Sequence, residues 1–306
     1  MTSKTISSDQ LVPIICGPTA SGKTSLSIEI AKKIGGEIIS ADSRQFYREM
    51  SIGTAKPTSA EMQSIPHHFI DSHSIAEPIT AGQFAAQAEV VMNDILKRGH
   101  IPIIVGGSGL YINALVYGFD VRPSSSGLRK ELNRLFDQEG VDGLRRRLDS
   151  VDLNARKFID DNNPMRLIRA IELVETEGKA FSEIISDNQP DPKFNALFIG
   201  IDWDREKLYG RIDERVDQMI DDGLETEVKE LLKFKESPVF RTVGYQEFIP
   251  YFNGDYDIHE CIRLIKRNSR RYAKRQLTWF RRNPSMNWFR RESLEEAIHF
   301  VHNEVV

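Results

Sequence analysis

Short apolar runs alternate with stretches of three- and four-residue apolar spacing through the first third of the chain. Leu11 to Cys16 is apolar and strand-length, Ser25 to Ile34 has helical spacing, and Glu37 to Ser40 turns apolar again. The helical pattern from Ala81 to Arg98 leads into Ile101 to Val105, the strongest strand signal of this region. Strands separated by helices predict an α/β fold, a parallel sheet with crossover helices on its faces.

The pattern changes after about Val121. Charge-rich helical stretches at Leu128 to Gln138, Val141 to Leu148, Pro164 to Thr176 and Phe181 to Ser186 predict a helical insertion domain over residues 121–195. A short linker signal, Ser124 to Ser126, marks its start. Ala196 to Ile201 returns to strand composition, so the core is expected to comprise residues 1–120 and 196–306. A last long helix carries Ile258, Cys261, Ile262, Ile265, Ser269, Tyr272, Ala273 and Gln276 on its packing side, with basic residues between them.

Composition narrows the class. A chain of 306 residues, 40% hydrophobic and 28% charged, is ordinary for a globular protein with a sizeable core. No apolar run approaches the roughly 20 residues of a membrane span, and Leu11 to Cys16 is too short for a signal-peptide core of about 7 to 15. A soluble, cytoplasmic monomer is the expectation. Cys16 and Cys261 make no disulfide framework. The net charge of −4 hides a local imbalance. From Cys261 to Arg291 every charged side chain is basic: Arg263, Lys266, Arg267, Arg270, Arg271, Lys274, Arg275, Arg281, Arg282, Arg290 and Arg291. Such a run is either a solvated helix face or a seat for a polyanion, and Tyr272, Trp279 and Phe280 beside it favour the second.

The sharpest chemical signal is Gly17-Pro18-Thr19-Ala20-Ser21-Gly22-Lys23-Thr24, which fills every fixed position of the phosphate-binding loop between a predicted strand and a predicted helix. Its glycines let backbone N–H groups close around an anion, Lys23 adds a charge and Thr24 offers a hydroxyl to Mg²⁺. Such a loop names no reaction. No Asn-Lys-x-Asp guanine signature is read, nor a long apolar strand ending in an aspartate of the kind that supports Mg²⁺ in ATPases, so GTPase and motor readings weaken. Ala41-Asp42-Ser43-Arg44-Gln45-Phe46-Tyr47 places Asp42 at the carboxyl end of the second strand, where a carboxylate serves as proton acceptor or as a helix N-cap. His67 and His68 are adjacent and would face opposite ways on a strand, so they cannot easily share one metal ion.

Six segments in order carry a resemblance: Gly17 to Thr24, Asp42 to Tyr47, Ile52-Gly53-Thr54-Ala55-Lys56-Pro57, Val105-Gly106-Gly107-Ser108-Gly109-Leu110-Tyr111, Gly244-Tyr245-Gln246-Glu247 and Lys274-Arg275-Gln276-Leu277-Thr278-Trp279-Phe280. From about residue 10 to residue 290 the chain resembles the bacterial tRNA dimethylallyltransferases. The resemblance implies a P-loop core with a helical insertion, a loop that holds the diphosphate of dimethylallyl diphosphate with Mg²⁺, and transfer of the prenyl group to adenine 37 beside the anticodon. It implies charge stabilisation by Lys23 and Arg215, with Thr24 toward the metal, and proton acceptance by Asp42. Ser108 stands at the reaction centre where threonine is usual. The matching RNA-contact positions are Asp42, Ser43, Arg44, Gln45, Ser108, Arg129, Met165, Arg166, Leu167, Ile168, Arg169, Arg241, Thr242, Val243, Gly244, Tyr245, Gln246, Lys274, Arg275, Gln276, Leu277, Thr278, Trp279, Phe280 and Arg281. At Met165 a polar residue is common in the family. Three alternatives stay open: a prenyltransferase acting on free AMP, ADP or ATP, a P-loop small-molecule kinase with Asp42 as base, and an RNA-binding protein with an inactive loop.

Overall fold

A computed structural model describes residues 10–118, 126–186 and 191–306. The chain order opens β1 (Leu11–Cys16), α1 (Lys23–Ile34), β2 (Gly36–Ser40), α2 (Ser59–Met62), β3 (His67–His68), α3 (Ala81–Lys97), β4 (Ile101–Gly106) and α4 (Gly109–Tyr117). Three helices follow, α5 (Ser126–Val151), α6 (Pro164–Glu177) and α7 (Phe181–Ser186). The chain then runs β5 (Asn195–Asp202), α8 (Arg205–Asp221), α9 (Leu224–Glu230), α10 (Phe248–Phe252), α11 (Ile258–Phe280), β6 (Met286–Arg290) and α12 (Leu294–Val305).

The expected α/β class holds. Among the described residues six strands form one sheet in the order β3-β2-β4-β1-β5-β6, and every described pairing is parallel. Both faces are covered, which is why the strands read as unbroken apolar runs. Residue parity sorts the two cores. Ile14, Cys16, Ile39, Ile104 and Phe198 pack with α3 and α4, while Ile15, Ile38, Ile103, Val105 and Ile199 pack with α1 and α12. A third apolar cluster joins Val216, Val228, Phe240, Tyr245, Phe248, Cys261 and Ile265 from α8 to α11.

The chain divides into two compact units, residues 1–119 with 192–306, and residues 120–191. The sheet unit thus reclaims its chain earlier than the expected boundary at 196. Lys193 N donates to Val116 O at 2.7 Å, and Phe194 is buried in the sheet's core. Positions 124 and 125 of the expected linker lie outside the described residues. Within the helical unit the two helices expected before Leu148 are both present inside α5, parted at Gly140, whose non-helical φ of 64° and ψ of −156° suit a residue without Cβ. Asn163 caps α6, Pro164 opens it and Gly178 closes it in the left-handed region, the order of signals its sequence carries.

Candidate functional site

Open parallel sheets bind ligands beyond the carboxyl ends of their strands, and three such ends meet here. The loop after β1 runs from Gly17 to Gly22, where φ of 88° and ψ of 19° turn the chain into α1. Ala20 also sits at a positive φ, 61°, a conformation the surroundings must hold in place. They do so from outside the loop. Trp203 Nε1 donates to Ser21 O at 2.9 Å and Arg211 Nε to Ala20 O at 3.2 Å, with the Arg211 guanidinium stacked over the Trp203 ring. Lys23 Nζ donates to Pro18 O at 2.6 Å. Burial lowers its pKa to about 8, with nearby Asp42 opposing the fall and Arg215 adding to it.

Asp42 follows β2 but starts no helix; its Oδ1 accepts from Arg44 N at 3.1 Å in a turn. The N-cap alternative is therefore removed. Its charge acts on Lys23, on Arg215 and on Tyr272, whose phenol burial pushes up to about 12. Ser108 closes the third strand end. Its Oγ accepts from Ser43 N at 3.0 Å and donates to Ser43 Oγ at 3.1 Å, so the hydroxyl braces the Asp42 turn against β4. Arg215 Nη2 reaches Ala55 O at 3.3 Å.

A cavity of about 280 Å³ is lined by Lys23, Thr24, Asp42, Arg44, Arg215 and Tyr272, with Ile212, Val216 and Ile265 supplying apolar wall. A second, of about 860 Å³, shares Lys23, Thr24 and Arg215 and adds Lys56 and Arg211. Cations thus flank the loop on two sides, a carboxylate stands across from them, and apolar surface lies between. Such an arrangement can hold a polyanion at one end and accept a proton at the other. Among the described residues no cluster of three His, Cys, Asp or Glu stands ready to hold a metal ion.

The expected RNA-contact positions divide. Ser43, Arg44 and Gln45 line the cavity with Arg241, Thr242, Val243 and Gly244. Gln45 Nε2 donates to Thr54 O and Ala55 O at 3.2 Å each, and Gln246 Nε2 to Glu247 Oε1 at 3.1 Å. Tyr245 is wholly buried and donates to Glu227 Oε1 at 2.6 Å, so its side chain belongs to the core and not to RNA. Phe280 is likewise core, and Leu277 packs beside Ala20, Leu208 and Ile212. Gln276 is buried and bonded at both ends of its amide within the protein. Lys274, Arg275, Thr278 and Arg281 face solvent, Arg275 over the Tyr272 ring and Arg281 3.2 Å from Asp202. Trp279 lies half-exposed over Gly109.

In the helical unit Met165 and Arg166 are exposed, whereas Leu167 and Ile168 are buried in its core, because α6 turns one face inward. Arg129 forms a forked pair with Glu172 at 2.5 and 2.6 Å, and Arg169 lies 3.7 Å from the same carboxylate. The acid-free appearance of the basic stretch is also corrected. Acids distant in sequence meet it: Asp213 pairs with Arg270, Asp217 with Lys266 and Asp202 with Arg281, while Glu260, just before the stretch, holds Arg263. Trp203 and Arg211 enter the site without having been singled out, and Tyr272, expected beside the polyanion seat, lines the cavity. Tyr272 carried a signal, since it stands four residues before Gln276 on the packing face.

A parallel sheet flanked by helices, with a glycine-rich loop at its carboxyl edge facing cations and a carboxylate, is the architecture of the P-loop α/β enzymes. Residues 45–283 match the family described as IPP transferase, and the chain belongs to it. Over 294 residues it is 40% identical to the tRNA dimethylallyltransferase of Cytophaga hutchinsonii, covering 96% of this chain and 97% of that one. It is similar to the full-length tRNA isopentenylpyrophosphate transferase of Bacillus halodurans, with a TM-score of 0.72, 38% identity and 97% of each chain covered. A eukaryotic dimethylallyltransferase described as acting on tRNA aligns with a TM-score of 0.81 at 29% identity, over 94% of this chain and 75% of that one.

Proposed function

We propose that this chain transfers a dimethylallyl group from dimethylallyl diphosphate to the N6 of adenine 37, next to the anticodon of tRNA, and releases diphosphate. The observation that carries this reading is that Lys23, which opens α1, and Asp42, which follows β2, line one cavity. The loop N–H groups, Lys23 and Arg215 hold the diphosphate and take up the charge that grows on it as the carbon–oxygen bond breaks. The adenine amine forms the new bond to the first allylic carbon, and its surplus proton passes to Asp42. Thr24, exposed at the start of α1, suits Mg²⁺ brought in with the diphosphate, since an anionic ligand supplies the oxygen donors the described side chains lack. The ion would neutralise phosphate charge.

Exposed Arg271, Lys274, Arg275 and Arg282 support an RNA acceptor over a free nucleotide, because one nucleotide has too few phosphates to meet them. Among the described residues no helix is long and apolar enough to cross a membrane. On this reading the chain works as a cytoplasmic monomer. Incubation with dimethylallyl diphosphate, Mg²⁺ and unmodified tRNA, followed by nucleoside mass analysis, should show dimethylallyl-adenosine. Prenylation of AMP at equal efficiency, or phosphate transfer instead, would reject the reading.

A further inference from the structure

One peptide bond of the phosphate loop is held at both of its polar ends by side chains. The carbonyl of Pro18 accepts from Lys23 Nζ at 2.6 Å, and the adjoining Thr19 N–H donates to Gln276 Oε1 at 2.9 Å. Gln276 turns the other end of its amide to the loop after β4, donating from Nε2 to Gly107 O at 2.9 Å. Its side chain is only 6% exposed, and a Cβ on Gly107 would run into Nε2, so that glycine makes room for the amide.

A buried amide whose acceptor and donor ends are both used is fixed in rotamer and in which end is oxygen. Burial withholds it from RNA. An anion-binding loop works best when its backbone is already in the bound orientation, because turning a peptide plane on binding costs affinity. We propose that Gln276 is a positioning residue of the diphosphate site. It locks the Pro18–Thr19 peptide, so that the loop is shaped in advance and Lys23 rests on Pro18 until an anion takes its ammonium. The same amide fixes Gly107 next to Ser108, whose hydroxyl braces the Asp42 turn. Gln276 thereby moves from the RNA side of the reaction, where its motif placed it, to the diphosphate side. The inference deepens the proposed function and rests on it.

Gln276→Met keeps the side chain's length and removes both hydrogen bonds; Gly107→Ala displaces the amide from the opposite side and leaves α11 intact. Affinity for inorganic diphosphate with Mg²⁺ and affinity for an anticodon stem-loop are measured separately, with a thermal melt of each variant. Both variants should weaken diphosphate binding by about tenfold, the worth of a typical hydrogen bond, and leave RNA affinity within about twofold. In the unaltered protein the Thr19 amide should exchange slowly with deuterated water, a measurement that stands even if neither variant folds. Unchanged diphosphate affinity in a folded variant, a loss confined to RNA, or rapid exchange at Thr19 would overturn the proposal. A parent that binds diphosphate in a Gln276-dependent way yet prenylates no tRNA would reject the function and leave the positioning role standing.

Discussion

Arg270 Nη1 lies 2.5 Å from both carboxylate oxygens of Asp213, which ties the cationic side of α11 to α8. Lys266 is bound to Asp217 in the same way, at 2.6 Å. Part of the charge on α11 is therefore committed inside the fold. Arg271, Lys274, Arg275 and Arg282 make no ion pair among the described residues and face solvent. Replacing Arg271, Lys274 and Arg282 together by glutamine should reduce the slope of log affinity against log salt for an anticodon stem-loop by about 2 to 3. Arg270→Gln should leave that slope almost unchanged and lower stability by up to about 1 kcal/mol, because the pair is half-exposed. Filter binding at several salt concentrations, with urea melts, separates the two effects. An unchanged slope in the triple variant would clear this face of RNA.

Asp42→Asn keeps the turn, since an amide oxygen can still accept from Arg44 N, but cannot take a proton. The chemical step should slow by roughly 10² to 10⁴ while RNA affinity stays within about twofold. Single-turnover rates decide it, and a rate within about threefold of the parent would remove Asp42 from the role of proton acceptor.

Much of this site was legible because its chemistry is local in sequence. The phosphate loop needs eight consecutive residues, and the apolar runs around it set the strand ends that place Asp42 and Ser108. What was not legible depends on residues far apart in the chain. The acids on α8 that neutralise Arg270 and Lys266 lie 57 and 49 residues away, so a sequence window sees only the basic half. Tyr245 sits in a motif beside the polar Gln246 and Glu247, and Gln276 in one beside exposed Lys274, Arg275 and Thr278. Only packing reveals that one is sealed against Glu227 and the other against the loop. The two-residue strand β3 is too short to carry a period.

The lowered pKa of Lys23 gives a test by pH. Its folded value of about 8 lies below the 10.5 of an unperturbed lysine, so between those values the folded chain binds fewer protons than the unfolded one. The charged form therefore costs stability below about pH 8, and the cost fades as pH rises toward 10.5. Stability of the parent relative to Lys23→Met should accordingly improve over that interval. A diphosphate bound as proposed selects the charged form, so its affinity should fall by up to about tenfold per pH unit above 8, with proton uptake on binding. Titration calorimetry in buffers of different ionisation heat measures the uptake. A pH-independent affinity from 7 to about 9.5, or the same fall in Lys23→Met, would show that Lys23 does not meet the anion.

Glu227 on α9 organises the turn that completes the cavity wall. Its carboxylate accepts from Ser51 N at 2.9 Å, Ile52 N at 2.8 Å, Gly53 N at 3.1 Å and Tyr245 Oη at 2.6 Å. Burial and the adjoining carboxylate push the Tyr245 pKa far up, so the phenol remains a donor at any pH the protein survives. A Cβ on Gly53 would come within 2.5 Å of the Tyr245 ring, so ring and turn are in direct contact. Tyr245→Phe removes one of four bonds to a carboxylate that keeps the other three, and should cost about 1 to 2 kcal/mol of stability. Glu227→Gln weakens all four, because an amide has one oxygen in place of two and is uncharged, and should cost about 2 to 3 kcal/mol. The segment it anchors carries Thr54 and Pro57 into the cavity and gives Arg215 its contact at Ala55. Glu227→Gln should therefore also raise the KM for the diphosphate substrate by several-fold while kcat falls less, because Glu227 bonds neither Lys23, at the start of α1, nor Asp42, after β2. Urea melts and steady-state kinetics at fixed tRNA check both parts. Equal stability of the two variants, or a kcat loss without a change in KM, would mean that the turn is held by something other than this carboxylate.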